Sequence, residues 1–153
     1  MAGEFWEEQE VYLEFIERLQ LENRVIHVNE YIAKEEVQGY FTAADLVVQP
    51  YVSATGSGVI QIAFAFNKPV IATRVGSLPE VKENGKTGYI VPPKSTNDLA
   101  KAIIRFFKEN KSKEFAMNIE KVKSKFSWDN IVYNIEELVI WGNSWLAEEC
   151  NAV

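Results

Sequence analysis

PYVSATGSGVIQIAFAFNKPVIATRVGSLPE, residues 50–80, decides how the rest of the chain is read. A proline closes whatever precedes it, because it cannot continue a hydrogen-bonded ladder. Small residues and glycines follow through Gly58. Residues 58–67 are short and almost wholly apolar, which predicts a buried helix. The β-branched run at 69–75 predicts a strand, and Gly76–Ser77 opens a second turn. The order turn, helix, strand, turn is that of a parallel crossover.

Outward from this stretch the same alternation continues. Residues 24–28, 45–51, 69–75 and 88–93 are β-branched and apolar nearly throughout, as strands covered on both faces are. Helical spacing appears at 7–20 (Val11, Tyr12, Phe15, Ile16, Leu19) and at 34–44 (Val37, Tyr40, Phe41, Ala44). Ser77, Pro79 and Gly85 bound a short helix. A further helix starts at Ser95–Thr96 with Asp98 in its first turn, and Leu99, Ile103, Phe106 and Phe107 are expected to face inward. Helices over 111–123 and from Ser127 onward complete the chain. The order α-β-α-β-α-β-α-β-α-α-α predicts an α/β fold with a doubly wound, Rossmann-like parallel sheet and right-handed crossovers.

The 153 residues fit one domain, 1–153, ending in helices over 111–150. Hydrophobic residues make up 47% and charged residues 25%, an ordinary globular balance. The net charge of −6 argues against nucleic acid or an anionic membrane as partner. Cys150 is the single cysteine, so no internal disulfide forms. One histidine, His27, and one distant cysteine make no metal-ligand set, so no metal is expected. No apolar run is long enough for a membrane span, and the acidic N-terminus is unlike a signal peptide; a cytoplasmic location is expected.

Ligands of open α/β sheets bind beyond the carboxyl ends of the strands. Gln49–Ser53, Thr73–Ser77 and Pro92–Lys94 occupy those ends. The first leads through Thr55, Gly56, Ser57 and Gly58 into a helix N-terminus, where unpaired amides and glycine backbone suit a phosphate. Thr55 and Ser57 would add hydroxyl donors. Between residues 46 and 79 there is no acidic side chain to repel an anion. Gly56 and Gly58 also suit a plain tight turn, and the same alternative holds for Gly76 and Ser77.

The segments AADLVVQPY, GSGVIQIAFAFNKPVIATRVGSLPEVKENGKTGYIVPP and NDLAKAI, followed by a late FSW, resemble the C-terminal, donor-binding domain of GT-B glycosyltransferases over about residues 24–138. Within that class the chain resembles family 4, the retaining nucleotide-sugar transferases. The resemblance implies that a nucleoside diphosphate-sugar is bound as substrate, with no separate cofactor, and that its sugar passes to an acceptor. It implies that Thr55, Gly56, Ser57 and Gly58 meet the donor diphosphate, that Ser53, Gln61, Gly76 and Ser77 lie near the sugar and ribose, and that Val91 and Pro92 border the base. Stabilisation of the leaving diphosphate would be the main catalytic term.

The chain departs from the family pattern at three points. The family's two glutamates, eight positions apart around the glycine turn, fall on Ala54 and Ile62 in the ungapped alignment; Ser53 and Gln61 offer a polar pair at the same spacing. The basic clamp that follows the first strand, the first strand itself and the acceptor domain lie outside the sequence. A chain of this kind is expected to be inactive alone and to work with a separate acceptor-domain chain or as a homodimer. Trp141 and Trp145 share a helix face that would need cover. The alternatives are a non-catalytic nucleotide- or phosphate-binding module, and an oligomerising interaction protein with a vestigial site.

Overall fold

The computed structural model describes residues 1–5, 8–78 and 84–123, together with Val132 and Glu136. The chain forms two compact units, Met1–Ala43 and Ala44–Val153.

In the first unit, α1 spans Gln9–Arg18 and α2 spans Lys34–Ala43. Glu10 and Arg18 lie at the helix ends that favour their charges. Val11, Phe15 and Leu19 recur at helical spacing, and each is more than half exposed. With Tyr12, Ile16 and Val25 they line a cavity of about 760 Å³ within this unit.

The expected strand at 24–28 is not formed. Val28 alone pairs, in a parallel bridge with Ala2, and Ile26 is 80% exposed. β-Branched residues favour extended backbone, but a strand also needs a continuous neighbour. Among the described residues, one is supplied only at the last position of the run.

The second unit holds β1 (Val47–Gln49), α3 (Gly58–Ala65), β2 (Val70–Thr73), β3 (Gly88–Val91), α4 (Thr96–Lys108) and α5 (Ser112–Lys123). The strands form a parallel sheet in the order β1-β2-β3. Val47 pairs with Val70, and Val70 with Gly88. This is the Rossmann-like α/β arrangement, with each strand shorter than its β-branched run. Pro50 and Pro92 follow β1 and β3 directly, and neither can donate to a ladder.

All four residues of β2 are buried, as its continuous apolar run requires. On β3, two backbone groups on the side away from β2 are closed off locally. Ile90 N–H donates to Asn84 Oδ1 at 3.0 Å, and Gly85 N–H donates to Gly88 C=O at 2.7 Å. Pro92 brings no N–H of its own.

α4 begins at the expected cap. Ser95 Oγ accepts from Asp98 N–H at 3.3 Å and donates to Asp98 Oδ2 at 2.7 Å. Its apolar stripe packs Ala102 and Phe106, with Leu99 and Ile103, against Ile71, Tyr89, Val91 and Phe115. Phe107 departs from the expectation: it is 56% exposed and stands edge-on to Phe106 at 5.0 Å. One residue further along a helix is a rotation of about 100°, enough to leave the buried stripe.

α3 is also one-sided. Ile60, Ala63 and Phe64 are buried, whereas Val59 and Ile62 are partly open to solvent. Two residues past its end, Asn67 has a φ of 54°, the left-handed stop that asparagine accepts more readily than most residues. The expected helix over 77–85 lies largely outside the described residues, as do the helix cap at Ser127 and the tryptophans Trp141 and Trp145.

Candidate functional site

The carboxyl ends of β1 and β2 carry the two glycine turns, and side chains at those ends tie them down. Thr73, 3% exposed at the end of β2, donates from Oγ1 to the Tyr51 carbonyl at 2.6 Å. This holds the chain leaving β1 beside β2. Gln49, 4% exposed at the end of β1, accepts from Ser57 Oγ at 3.0 Å.

The turns also bind each other. Ser77 N–H and Ser77 Oγ both donate to the Thr55 carbonyl, at 3.1 and 2.8 Å. A side chain on Gly56 would stand 3.4 Å from Ser77 Oγ. Gly76 has φ of +50°, and a Cβ there would lie 2.0 Å from the Ala54 carbonyl oxygen. Only glycine allows both that backbone angle and that approach. Residues 54–56 and 76–77 are thus one braced structure.

This bracing engages the Ser57 hydroxyl, one of the two expected as donors. Ser57 donates its proton inward to Gln49. Ser77 likewise spends both donors on Thr55. Ser57 is the N-cap of α3, with extended backbone (φ −147°, ψ 114°), and its side chain does not cap the helix. No acidic residue lies in the first turn of α3. Its leading amides thus lack a side-chain acceptor, and their partial positive charge faces no carboxylate on their own turn.

Gly58 opens α3 with nothing within 4 Å of where a Cβ would stand. Gln61 is exposed one turn on, next to Gly58 on the helix surface. Ser53 and Thr55 are exposed on the loop. Val91 and Pro92 stand at the end of β3 beside β2, where the Val91 carbonyl accepts from Arg74 N–H at 2.8 Å. They line a cavity of about 310 Å³ with Tyr89, Asp98, Lys101 and Arg105, and no residue of the glycine turns contributes to its wall. Beside it, Arg105 Nε donates to Glu109 Oε1 at 2.9 Å, and the guanidinium lies 5.0 Å over the Tyr89 ring. The hydrogen bond from Arg105 holds the Glu109 carboxyl below its usual range. Burial, ahead of the nearby charges, raises Tyr89.

Sequence reasoning missed Gln49. A glutamine closing an otherwise apolar strand run is the signal that could have found it. Among the described residues, no cluster of His, Cys, Asp or Glu is arranged to hold a metal, and no helix is long and apolar enough to cross a membrane.

A parallel sheet with glycine turns braced at its carboxyl ends and an uncapped helix N-terminus between them is a nucleotide-binding type of architecture. Comparison with known proteins makes the class specific. The family model described as glycosyl transferases group 1 matches residues 1–109, and the chain belongs to that family. The uncharacterized glycosyltransferase MJ1178 of Methanocaldococcus jannaschii is 30% identical over 127 residues, covering 80% of this chain and 36% of that protein. Among solved structures, Anabaena Alr3699/HepE in complex with UDP is 27% identical, with a TM-score of 0.76 over 90% of this chain and 39% of that one. Sucrose-phosphate synthase (tll1590) of Thermosynechococcus elongatus is 29% identical, with a TM-score of 0.74 over 90% of this chain and 35% of that one. This chain spans well under two thirds of each of these proteins. Its fold is that of the C-terminal domain of GT-B glycosyltransferases.

Proposed function

We propose that this chain is the donor-binding part of a glycosyltransferase that moves a sugar from a nucleoside diphosphate-sugar to an acceptor. The observation that carries the reading is the N-terminus of α3: its cap serine is turned away, its first turn is free of carboxylates, and glycine-rich backbone surrounds it. The similarity to Alr3699/HepE, solved with UDP and with UDP-glucose, supports a nucleotide-sugar as the ligand.

In this reading the diphosphate sits against the backbone amides of Ser57 and Gly58 and the following turn of α3. As the bond to the sugar breaks, negative charge builds on the diphosphate, and amides already in place stabilise it without reorganising. Ser53 and Gln61, one residue before Ala54 and Ile62, would supply the polar side chains that meet the sugar or ribose. Transfer proceeds with retention of configuration, and the acceptor is held by a further domain or a separate chain. The present residues alone bind donor without turnover.

Calorimetric titration with UDP, GDP and ADP tests the reading. Saturable binding of one nucleotide supports it, and absence of binding to all three at millimolar concentration overturns it.

A further inference from the structure

Residues 46–78 contain two cations, Lys68 and Arg74, and no acidic side chain. The two flank β2 at opposite ends: Lys68 comes two residues before it, Arg74 immediately after it. Arg74 is therefore the cation at the carboxyl end of the central strand. Its N–H donates to the Val91 carbonyl at 2.8 Å, which extends the ladder one residue beyond β2. Gly76, two residues on, is packed against the Ala54 carbonyl, so the Arg74 side chain is tethered close to the turn that follows β1.

The direction in which that side chain leaves the sheet follows from the register. Successive side chains of a strand point to opposite faces. Ile71, Tyr89 and Val91 lie on the face that packs against Ala102 and Phe106 of α4. Ala72 and its partner Gln49 lie on the other face, and there Gln49 Oε1 accepts from Ser57 Oγ at 3.0 Å. Arg74, two residues past Ala72, emerges on this second face, the face of Ser57. Arg105, Lys111 and Lys123 each have a glutamate partner three or four residues away. Arg74 is exposed and forms no salt bridge with any described residue.

We propose that Arg74 supplies the positive charge that meets the donor's diphosphate. A guanidinium presents parallel N–H donors that match phosphate oxygens two at a time, and no carboxylate of residues 46–79 competes for it. The inference rests on the donor-site reading for the identity of the ligand.

The test titrates UDP, UMP and inorganic pyrophosphate into the whole chain and into Arg74→Gln, Arg74→Lys and Lys68→Gln. Arg74→Gln is expected to weaken UDP binding about tenfold, and UMP binding less, because UMP lacks the second phosphate. Arg74→Lys keeps the charge without the fork and is expected to lose about threefold. Lys68→Gln removes the same charge from the opposite end of β2 and is expected to bind as wild type does. Unfolding temperatures should agree, since the Arg74 ladder bond is made by its backbone. Equal UDP binding by wild type and Arg74→Gln, or an equal loss in Lys68→Gln, overturns the inference and leaves the donor-site reading standing. If the wild-type chain binds no UDP, GDP or ADP, the donor-site reading fails, and pyrophosphate decides the role of Arg74. Amide shifts in wild type that Arg74→Gln abolishes support it, and their absence from wild type or persistence in the variant overturns it.

Discussion

The Thr55 carbonyl receives two hydrogen bonds from Ser77, one from its amide at 3.1 Å and one from its hydroxyl at 2.8 Å. The turn after β1 is thereby fastened to the turn after β2 at a single oxygen. Removing the hydroxyl leaves the amide bond in place, so the turns stay together but hold less firmly. Ser77→Ala is expected to lower stability by about 1 kcal/mol, the net value of one such bond, and Ser77→Thr to preserve most of it. Denaturant unfolding of the three proteins checks this.

Gly76 carries the steric half of the same junction. Alanine there would adopt an unfavourable left-handed angle and drive its Cβ into the Ala54 carbonyl, 2.0 Å away. Gly76→Ala is expected to cost at least about 2 kcal/mol, more than the left-handed penalty alone. Gly85 also has positive φ, +80°, but nothing stands within 4 Å of its Cβ position. Gly85→Ala should therefore cost only about 1 kcal/mol. The difference in thermal unfolding between the two variants isolates the contact from the angle.

Phe106 and Phe107 are adjacent in sequence and opposite in burial, 1% and 56% exposed. Phe106→Ala is expected to cost about 3–5 kcal/mol, because it empties a site among Tyr89, Phe115 and Ile71. Phe107→Ala should cost about 1 kcal/mol, the scale of an edge-on ring contact. Equal losses would show that the stripe of α4 is wider than described.

The pair Arg105–Glu109 predicts a specific acid response. The folded carboxyl of Glu109 is lowered by the Arg105 hydrogen bond, so the folded state binds its proton less readily than the unfolded chain. Its contribution is therefore present above the unfolded carboxylate pKa and lost as pH falls through the lower folded value. Both side chains are substantially exposed, so the effect is small. Melting curves of wild type and Glu109→Gln should differ at neutral pH and converge under acid conditions.

Much of this architecture was legible in the sequence because it rests on local rules. The apolar runs around 47–49, 70–73 and 88–91 specify strands, and Ser95 with Asp98 specifies the start of α4. The glycine turns were legible for the same reason: Gly76 is required by its backbone angle. What escaped depends on tertiary neighbours. The run at 24–28 has β propensity but finds a partner only at Val28. Ser57 carries the sequence signature of a cap or a phosphate donor, and Gln49, eight residues earlier, takes its hydroxyl for neither purpose. No spacing rule connects a strand end to the cap of the helix that follows it.

The measurement that bears most directly on the donor-site account is a titration of UDP into the wild-type chain and Gly58→Val, followed by unfolding of both. Nothing lies within 4 Å of a Cβ at Gly58, so the fold accommodates the substitution, while the added side chain occupies the approach to the α3 amides. The account predicts saturable binding by wild type, clear weakening in the variant and similar unfolding temperatures. No binding to wild type at millimolar UDP, GDP or ADP, or equal binding by both proteins, would contradict it.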